Sequence, residues 1–66
     1  MEHIGLKIKE LRLRANLTQV ELAKRIGIGL RFIRELERGK PTIRLDKLNQ
    51  VLKFFYYHIE IVKNGK

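Results

Sequence analysis

The 66-residue sequence contains no cysteine, no tryptophan and one proline, Pro41. Without cysteine it has neither disulfides nor thiolate metal ligands, so packing or association with another chain must stabilise the fold. No run approaches the roughly 18 to 20 apolar residues of a membrane span, and the first residues lack the apolar block of a signal peptide. We therefore expect a soluble, intracellular protein with no membrane partner.

Acidic residues are also scarce, with 7 Asp and Glu against 15 Lys and Arg, for a formal net charge of +8. On so small a body this charge favours a polyanionic partner, although a merely soluble basic surface would have the same composition. A chain of this length holds one domain and buries only roughly 60% of its unfolded surface on folding, so a second subunit would help to stabilise it.

Apolar spacing predicts four helices. The first, over residues 4–15, carries its apolar residues at intervals of four, three and four, and Asn16 suits the left-handed position after it. The second begins with the capping box Thr18 to Glu21 and ends at Gly27. The third ends at Gly39, and the fourth follows the loop 40–44. The apolar residues that set these four patterns are Ile4, Ile8, Leu11 and Ala15; Leu22, Ala23 and Ile26; Ile28, Phe32, Ile33 and Leu36; Leu45, Leu48, Val51, Leu52 and Phe55.

From Tyr56 the pattern changes to an alternation of β-branched and aromatic residues, which predicts a β-strand over about 56–62. A lone strand leaves backbone groups unpaired, so we expect it to pair with the same strand of a second copy, through Tyr57, Ile59 and Ile61. A fraying helical extension is the alternative. The predicted domain covers residues 1–62, and 63–66 form a tail.

The stretch 17–39 contains two short helical patterns separated by the tight turn 27–29, which is the outline of a helix-turn-helix. A recognition helix in the DNA major groove would present its first two turns, here Leu30, Arg31, Arg34 and Glu35. Arg31 and Arg34 could each donate to the two acceptors of a guanine. Glu35 could accept from a cytosine amino group, and Leu30 could contact a thymine methyl group. Alternatively, Arg31 and Glu35 form a surface ion pair.

The motifs of residues 17–23, 27–28, 33 and 36–39 resemble the Cro and phage-repressor (XRE) superfamily. This resemblance implies an all-α, lambda-repressor-like helix-turn-helix domain of four helices with one C-terminal strand, paired across a homodimer. Residues 31–33 and 36–42, followed by a strand, look most like the HipB-type antitoxins. That likeness implies an autoregulating dimeric repressor on a palindromic operator, a HipA-type kinase toxin as partner, and a prokaryotic, cytoplasmic, nucleoid-associated protein.

Further site residues are expected around the recognition helix. Gln19 would meet a phosphate at the start of the second helix, a role that the resemblance also implies. Arg38, Lys40 and Arg44 would hold the neighbouring DNA backbone, although a solvated surface role is an alternative for Lys40 and Arg44. The resemblance further implies a structural ion pair between Arg12 and Glu37.

Two departures from the family pattern stand out. Gly29 occupies the place of the usual Ser or Thr cap, which predicts a looser start of the recognition helix. Tyr56 stands where the HipB-type antitoxins tend to have Gly. The neighbouring aromatic run 54–57 suits the core and a dimer interface better than stacking on single-stranded bases.

The sequence contains no catalytic or metal-binding constellation and suggests no cofactor, so we expect a binder of double-stranded DNA, not an enzyme. Two other functions fit the same pattern. One is a stand-alone XRE-family regulator without a toxin, and the other is an interaction module that mainly neutralises a toxin.

Overall fold

The computed structural model describes residues 2–56. It has four helices, α1 (Glu2–Arg14), α2 (Gln19–Ile26), α3 (Leu30–Glu37) and α4 (Leu45–Phe54). The predicted helical helix-turn-helix fold is confirmed. The first helix begins at Glu2, two residues before its predicted start, and ends at Arg14, one residue before its predicted end. Phe55, which was predicted to belong to the fourth helix, lies just beyond α4 as its C-cap.

All four helices contribute to one core, in which α3 packs against both α1 and α2, and α2 also packs against α4. Ala15 and Leu45 were predicted on the apolar sides of their helices, but both are exposed, Leu45 at 58%. The fully buried side chains are Ile8, Leu22, Ile33, Leu36, Leu48 and Val51. Because α3 supplies two of these six residues, its inner side is part of the core. Its outer side is exposed to solvent.

The two helices of the motif begin and end as their capping residues require. The Thr18 hydroxyl accepts a hydrogen bond from the Glu21 amide at 3.0 Å, and the Thr18 amide donates to the Glu21 carboxylate at 2.8 Å. This backbone bond holds the pKa of Glu21 below its ordinary value. Gly27 closes α2, as predicted, in the left-handed region at φ 84°, and Gly29 starts α3 without a side-chain cap.

Two non-glycine residues among those described have positive φ, Asn16 at 58° and Tyr56 at 64°. Asn16 was predicted to be left-handed, and its short polar side chain tolerates this conformation. Tyr56 corrects the predicted start of the strand, because a φ of 64° lies outside the β region. The rest of that predicted strand, with Tyr57, Ile59 and Ile61, lies outside the described residues and stays a prediction.

Gly5 has a role that the sequence pattern missed. It lies on the side of α1 that touches α3, and a Cβ atom placed there would overlap the backbone carbonyl of Leu36. Helical periodicity marks large apolar residues and gives no signal for a position where two backbones approach. Gly5 therefore sets the distance between α1 and α3.

We predict that Gly5→Ala lowers the free energy of unfolding by about 1 to 3 kcal/mol, because backbone must move to admit the methyl group. In an open helix the same change would be stabilising, since alanine is the better helix former. Urea denaturation followed by circular dichroism measures the difference.

Gly29→Ser is the matched control, since a Cβ atom at Gly29 meets nothing within 4 Å and serine supplies the missing cap. It should leave stability unchanged or slightly raised. A Gly5→Ala variant as stable as the original chain would show that α1 and α3 do not approach as described.

Candidate nucleic-acid interface

The outer face of α3 is basic and solvent-exposed. The Arg31 side chain is 91% exposed, and Arg34 and Arg38 are exposed as well. Arg34 has no ion pair or side-chain hydrogen bond within residues 2–56. Leu30 is half-buried against the core, so it offers less apolar surface to a partner than the sequence suggested.

Glu35 lies among these cations, and both of its carboxylate oxygens are engaged. Arg31 Nε donates to Oε2 at 3.3 Å and Lys40 Nζ donates to Oε1 at 3.2 Å. The hydrogen bond from Lys40, together with the charge of Arg31, holds the pKa of Glu35 below its ordinary value, so the carboxylate is charged at neutral pH. The ion pair considered as an alternative from the sequence is thus present, with Lys40 as an additional partner.

A basic cleft of about 300 Å³ opens between the start of α3 and the start of α4. Its lining consists of Gly29, Arg31, Phe32, Glu35, Lys40, Thr42, Ile43, Arg44 and Lys47. Lys47 Nζ stands 5.9 Å from the centre of the Phe32 ring, within the range of a cation–π contact. Four cations against one carboxylate make this cleft attractive to phosphate groups.

Arg44 lies in this cleft but is already paired. Its Nε and Nη2 atoms donate to the two oxygens of the Asp46 carboxylate at 3.1 and 2.6 Å. This hydrogen bonding from Arg44 is the main cause that holds the pKa of Asp46 below its ordinary value. Sequence reasoning missed both Asp46 and Lys47. The signal available was their position in the first turn of α4, two and three residues after Arg44.

Behind the exposed face of α3 lies a buried polar network. Arg12 Nε and Nη2 donate to the two oxygens of Glu37 at 2.7 and 3.0 Å, while Arg12 Nη1 donates to the Leu17 carbonyl at 2.8 Å. The side chains of Arg12 and Glu37 are only 9% and 3% exposed. The structure therefore brings Arg12 and Glu37 together. Their hydrogen bonds connect α1, the segment before α2, and α3.

Gln19 belongs to the same network. It is the first residue of α2, and its side-chain Nε2 donates to Glu37 Oε1 at 3.0 Å. Within residues 2–56 the second hydrogen on Nε2 has no partner and is available to another acceptor. Glu37 thus orients Gln19, a contact that the sequence analysis did not anticipate because the two residues lie 18 positions apart.

Comparison with known proteins agrees with this geometry. Residues 8–61 match HTH_3, a family described as helix-turn-helix. The chain belongs to the HTH_3 family. An uncharacterized HTH-type transcriptional regulator from Sinorhizobium fredii is 44% identical to this HTH_3 chain over 63 residues, which is 96% of the chain and 83% of the relative.

Two archaeal relatives of this HTH_3 chain are also described as uncharacterized HTH-type transcriptional regulators. The one from Archaeoglobus fulgidus is 41% identical over 54 residues, which cover 82% of the chain and 76% of the relative. The one from Methanocaldococcus jannaschii is 39% identical over 54 residues, with 82% of each covered. The predicted helix-turn-helix family is thereby confirmed, whereas the HipB-type subtype stays a prediction.

Within residues 2–56, no three His, Asp or Glu side chains are grouped so that they could hold a metal ion. No described helix of this HTH_3 chain has the length and apolar character needed to cross a membrane.

We predict that Arg12→Met lowers the free energy of unfolding by about 3 to 5 kcal/mol, because it leaves the buried Glu37 carboxylate without its guanidinium partner. The double variant Arg12→Met with Glu37→Leu should recover most of this loss, since no unpaired buried charge remains. Urea denaturation of the single and double variants measures both values. A loss below about 1 kcal/mol for Arg12→Met, typical of an exposed pair, would contradict the buried network.

Proposed function

We propose that this chain is a transcriptional repressor that binds a palindromic operator in double-stranded DNA as a homodimer. The observation that carries the proposal is the exposed cationic face of α3, with Arg31 and Arg34 on the outside of a helix whose inside is core. The HTH_3 membership and the regulators among the relatives support the same function.

In this mechanism α3 lies in the major groove, where Arg31 and Arg34 each donate to the two acceptors on the edge of a guanine. Leu30 contributes a smaller apolar contact to a thymine methyl group. For Glu35 the choice is between accepting from a cytosine and holding its neighbours.

Contacts to the DNA backbone would fix the position of α3. Gln19 donates its free amide hydrogen to a phosphate beside the N-terminus of α2, where the helix dipole also favours an anion. Arg38, Lys40 and Arg44, with Lys47 in the basic cleft, attract the phosphates that follow. These contacts supply affinity and salt dependence but little sequence preference.

We predict that Arg31→Ala combined with Arg34→Ala abolishes the preference for the operator over a scrambled duplex. Each bidentate arginine–guanine contact accounts for roughly 1 to 3 kcal/mol of discrimination. The operator is obtained by selecting duplexes from a randomised library with the unmodified protein, and binding is measured by fluorescence anisotropy.

The combination of Lys9→Ala and Lys53→Ala is the control, because it also removes two positive charges, but from exposed sites on α1 and α4. This control should weaken operator and scrambled DNA to a similar, small extent and keep the preference. An undiminished preference in the double arginine variant would refute the assignment of Arg31 and Arg34.

The dimer is proposed to form through the predicted strand over 57–62, with Tyr57, Ile59 and Ile61 at the interface. Ile59→Pro removes a backbone donor, so we predict a monomer by light scattering. Asn64→Pro, in the predicted tail, is the control and should stay dimeric. A dimeric Ile59→Pro variant would place the interface elsewhere.

A second proposal is narrower: the repressor is the autoregulating antitoxin of a HipA-type kinase. Its support is the likeness of residues 31–33 and 36–42 to HipB-type antitoxins. The alternatives are a stand-alone regulator and a module that mainly neutralises a toxin. Co-purification from the source cells separates these three possibilities. An antitoxin co-purifies with a kinase, and a stand-alone regulator co-purifies with operator DNA alone. A neutralising module binds the kinase without a preference for operator DNA.

A further inference from the structure

Glu35 is the one acidic side chain among the cations that line the basic cleft. Its side chain is 26% exposed, whereas the side chain of its partner Arg31 is 91% exposed, so Glu35 is the more shielded member of the pair. Each of its two oxygens faces a different cation, Arg31 on one side and Lys40 on the other.

We propose that Glu35 is a positioning residue, which orients Arg31 for base reading and does not read a base itself. This inference rests on the proposed function, in which α3 enters the major groove. It assigns to Glu35 a part in the discrimination between operator and other DNA that is exerted through Arg31.

The atoms used in the ion pair support this role. Arg31 contacts Glu35 through Nε, which leaves Nη1 and Nη2 free along the far edge of the guanidinium group. A guanine presents its two acceptors, N7 and O6, along one edge and requires two donors side by side. Glu35 thus holds the near edge of Arg31 and leaves the edge that matches guanine.

Holding Arg31 in the free protein also reduces the entropy lost on binding. A long side chain that is immobilised at an interface loses rotamer freedom, and preorganisation removes part of that cost before the partner arrives. Arg34 provides the internal comparison, since within residues 2–56 it has no such anchor.

The charge of Glu35 acts against unspecific binding. A duplex without a correctly placed guanine still brings phosphates near this face, where the carboxylate repels them and keeps Lys40 partly neutralised. For Glu35 to accept from a cytosine, it would first have to release one of its two cations. The arrangement therefore favours orientation over direct reading.

The contact can be tested without DNA. Glu35→Gln should shift the NMR resonance of the Arg31 Nε–H toward that of the unanchored Arg34, while the Arg34 resonance stays in place. An unchanged Arg31 resonance would overturn the proposal, because it would mean that Glu35 does not hold Arg31 in solution.

The role in specificity is tested with the duplex selected by the unmodified protein and with a scrambled duplex. Glu35→Gln should bind scrambled DNA more tightly and reduce the ratio of operator to scrambled affinity roughly tenfold, within the range of one arginine–guanine contact. Most of the reduction should disappear in an Arg31→Ala background, where only the effect of the Glu35 charge on phosphates and Lys40 remains. The reduction should persist in full in an Arg34→Ala background.

Two results would overturn the proposal. One is an effect of Glu35→Gln on base preference that persists in full in the Arg31→Ala background, which would make Glu35 a direct reader of a base. The other is an unchanged ratio of operator to scrambled affinity in the Glu35→Gln variant. If the unmodified protein selects no motif at all, the proposed function fails, while the NMR comparison still decides whether Glu35 positions Arg31.

Discussion

The buried ion pair between Arg12 and Glu37 is the interaction on which the arrangement of the DNA-facing side depends. With the Leu17 carbonyl and the Gln19 amide, it ties together α1, the start of α2 and the end of α3. Buried charges are costly unless every hydrogen-bonding group is satisfied, and within the described residues no buried side-chain polar atom lacks a partner. The pair therefore favours one relative orientation of three segments, since any other would leave a charge unmatched.

This constraint gives α3 two distinct sides. Glu37, Ile33 and Leu36 hold its inner side, and Gly5 allows α1 to approach its backbone closely. The outer side consequently presents Arg31, Arg34 and Glu35 on a rigid support. Because Gln19 is bound to Glu37, the start of α2 is placed by the same network, so the proposed base-reading and phosphate-binding groups keep a fixed spacing.

Local patterns in the sequence predicted much of this fold. The Thr18 to Glu21 capping box, the left-handed Asn16 and the end of α2 at Gly27 all follow from short-range chemistry, and each is found in the structure. What pattern reasoning missed depends on distance in the chain or on backbone proximity. Gly5 against Leu36 and Gln19 on Glu37 are tertiary contacts, and Lys47 over Phe32 depends on how the loop 40–44 folds back. Tyr56 shows the reverse case, because the alternating pattern placed it at the start of a strand, whereas its backbone is left-handed.

The central claim is that α3 and the start of α2 face DNA together. Titration of the isotope-labelled protein with its selected duplex, followed by NMR, tests this claim most directly. The account predicts that the largest shifts fall on Gln19, on the outer residues of α3 and on the loop 40–44, with α1 and the outer side of α4 little changed. Shifts concentrated on α1 or α4, with Arg31 and Arg34 unaffected, would contradict it.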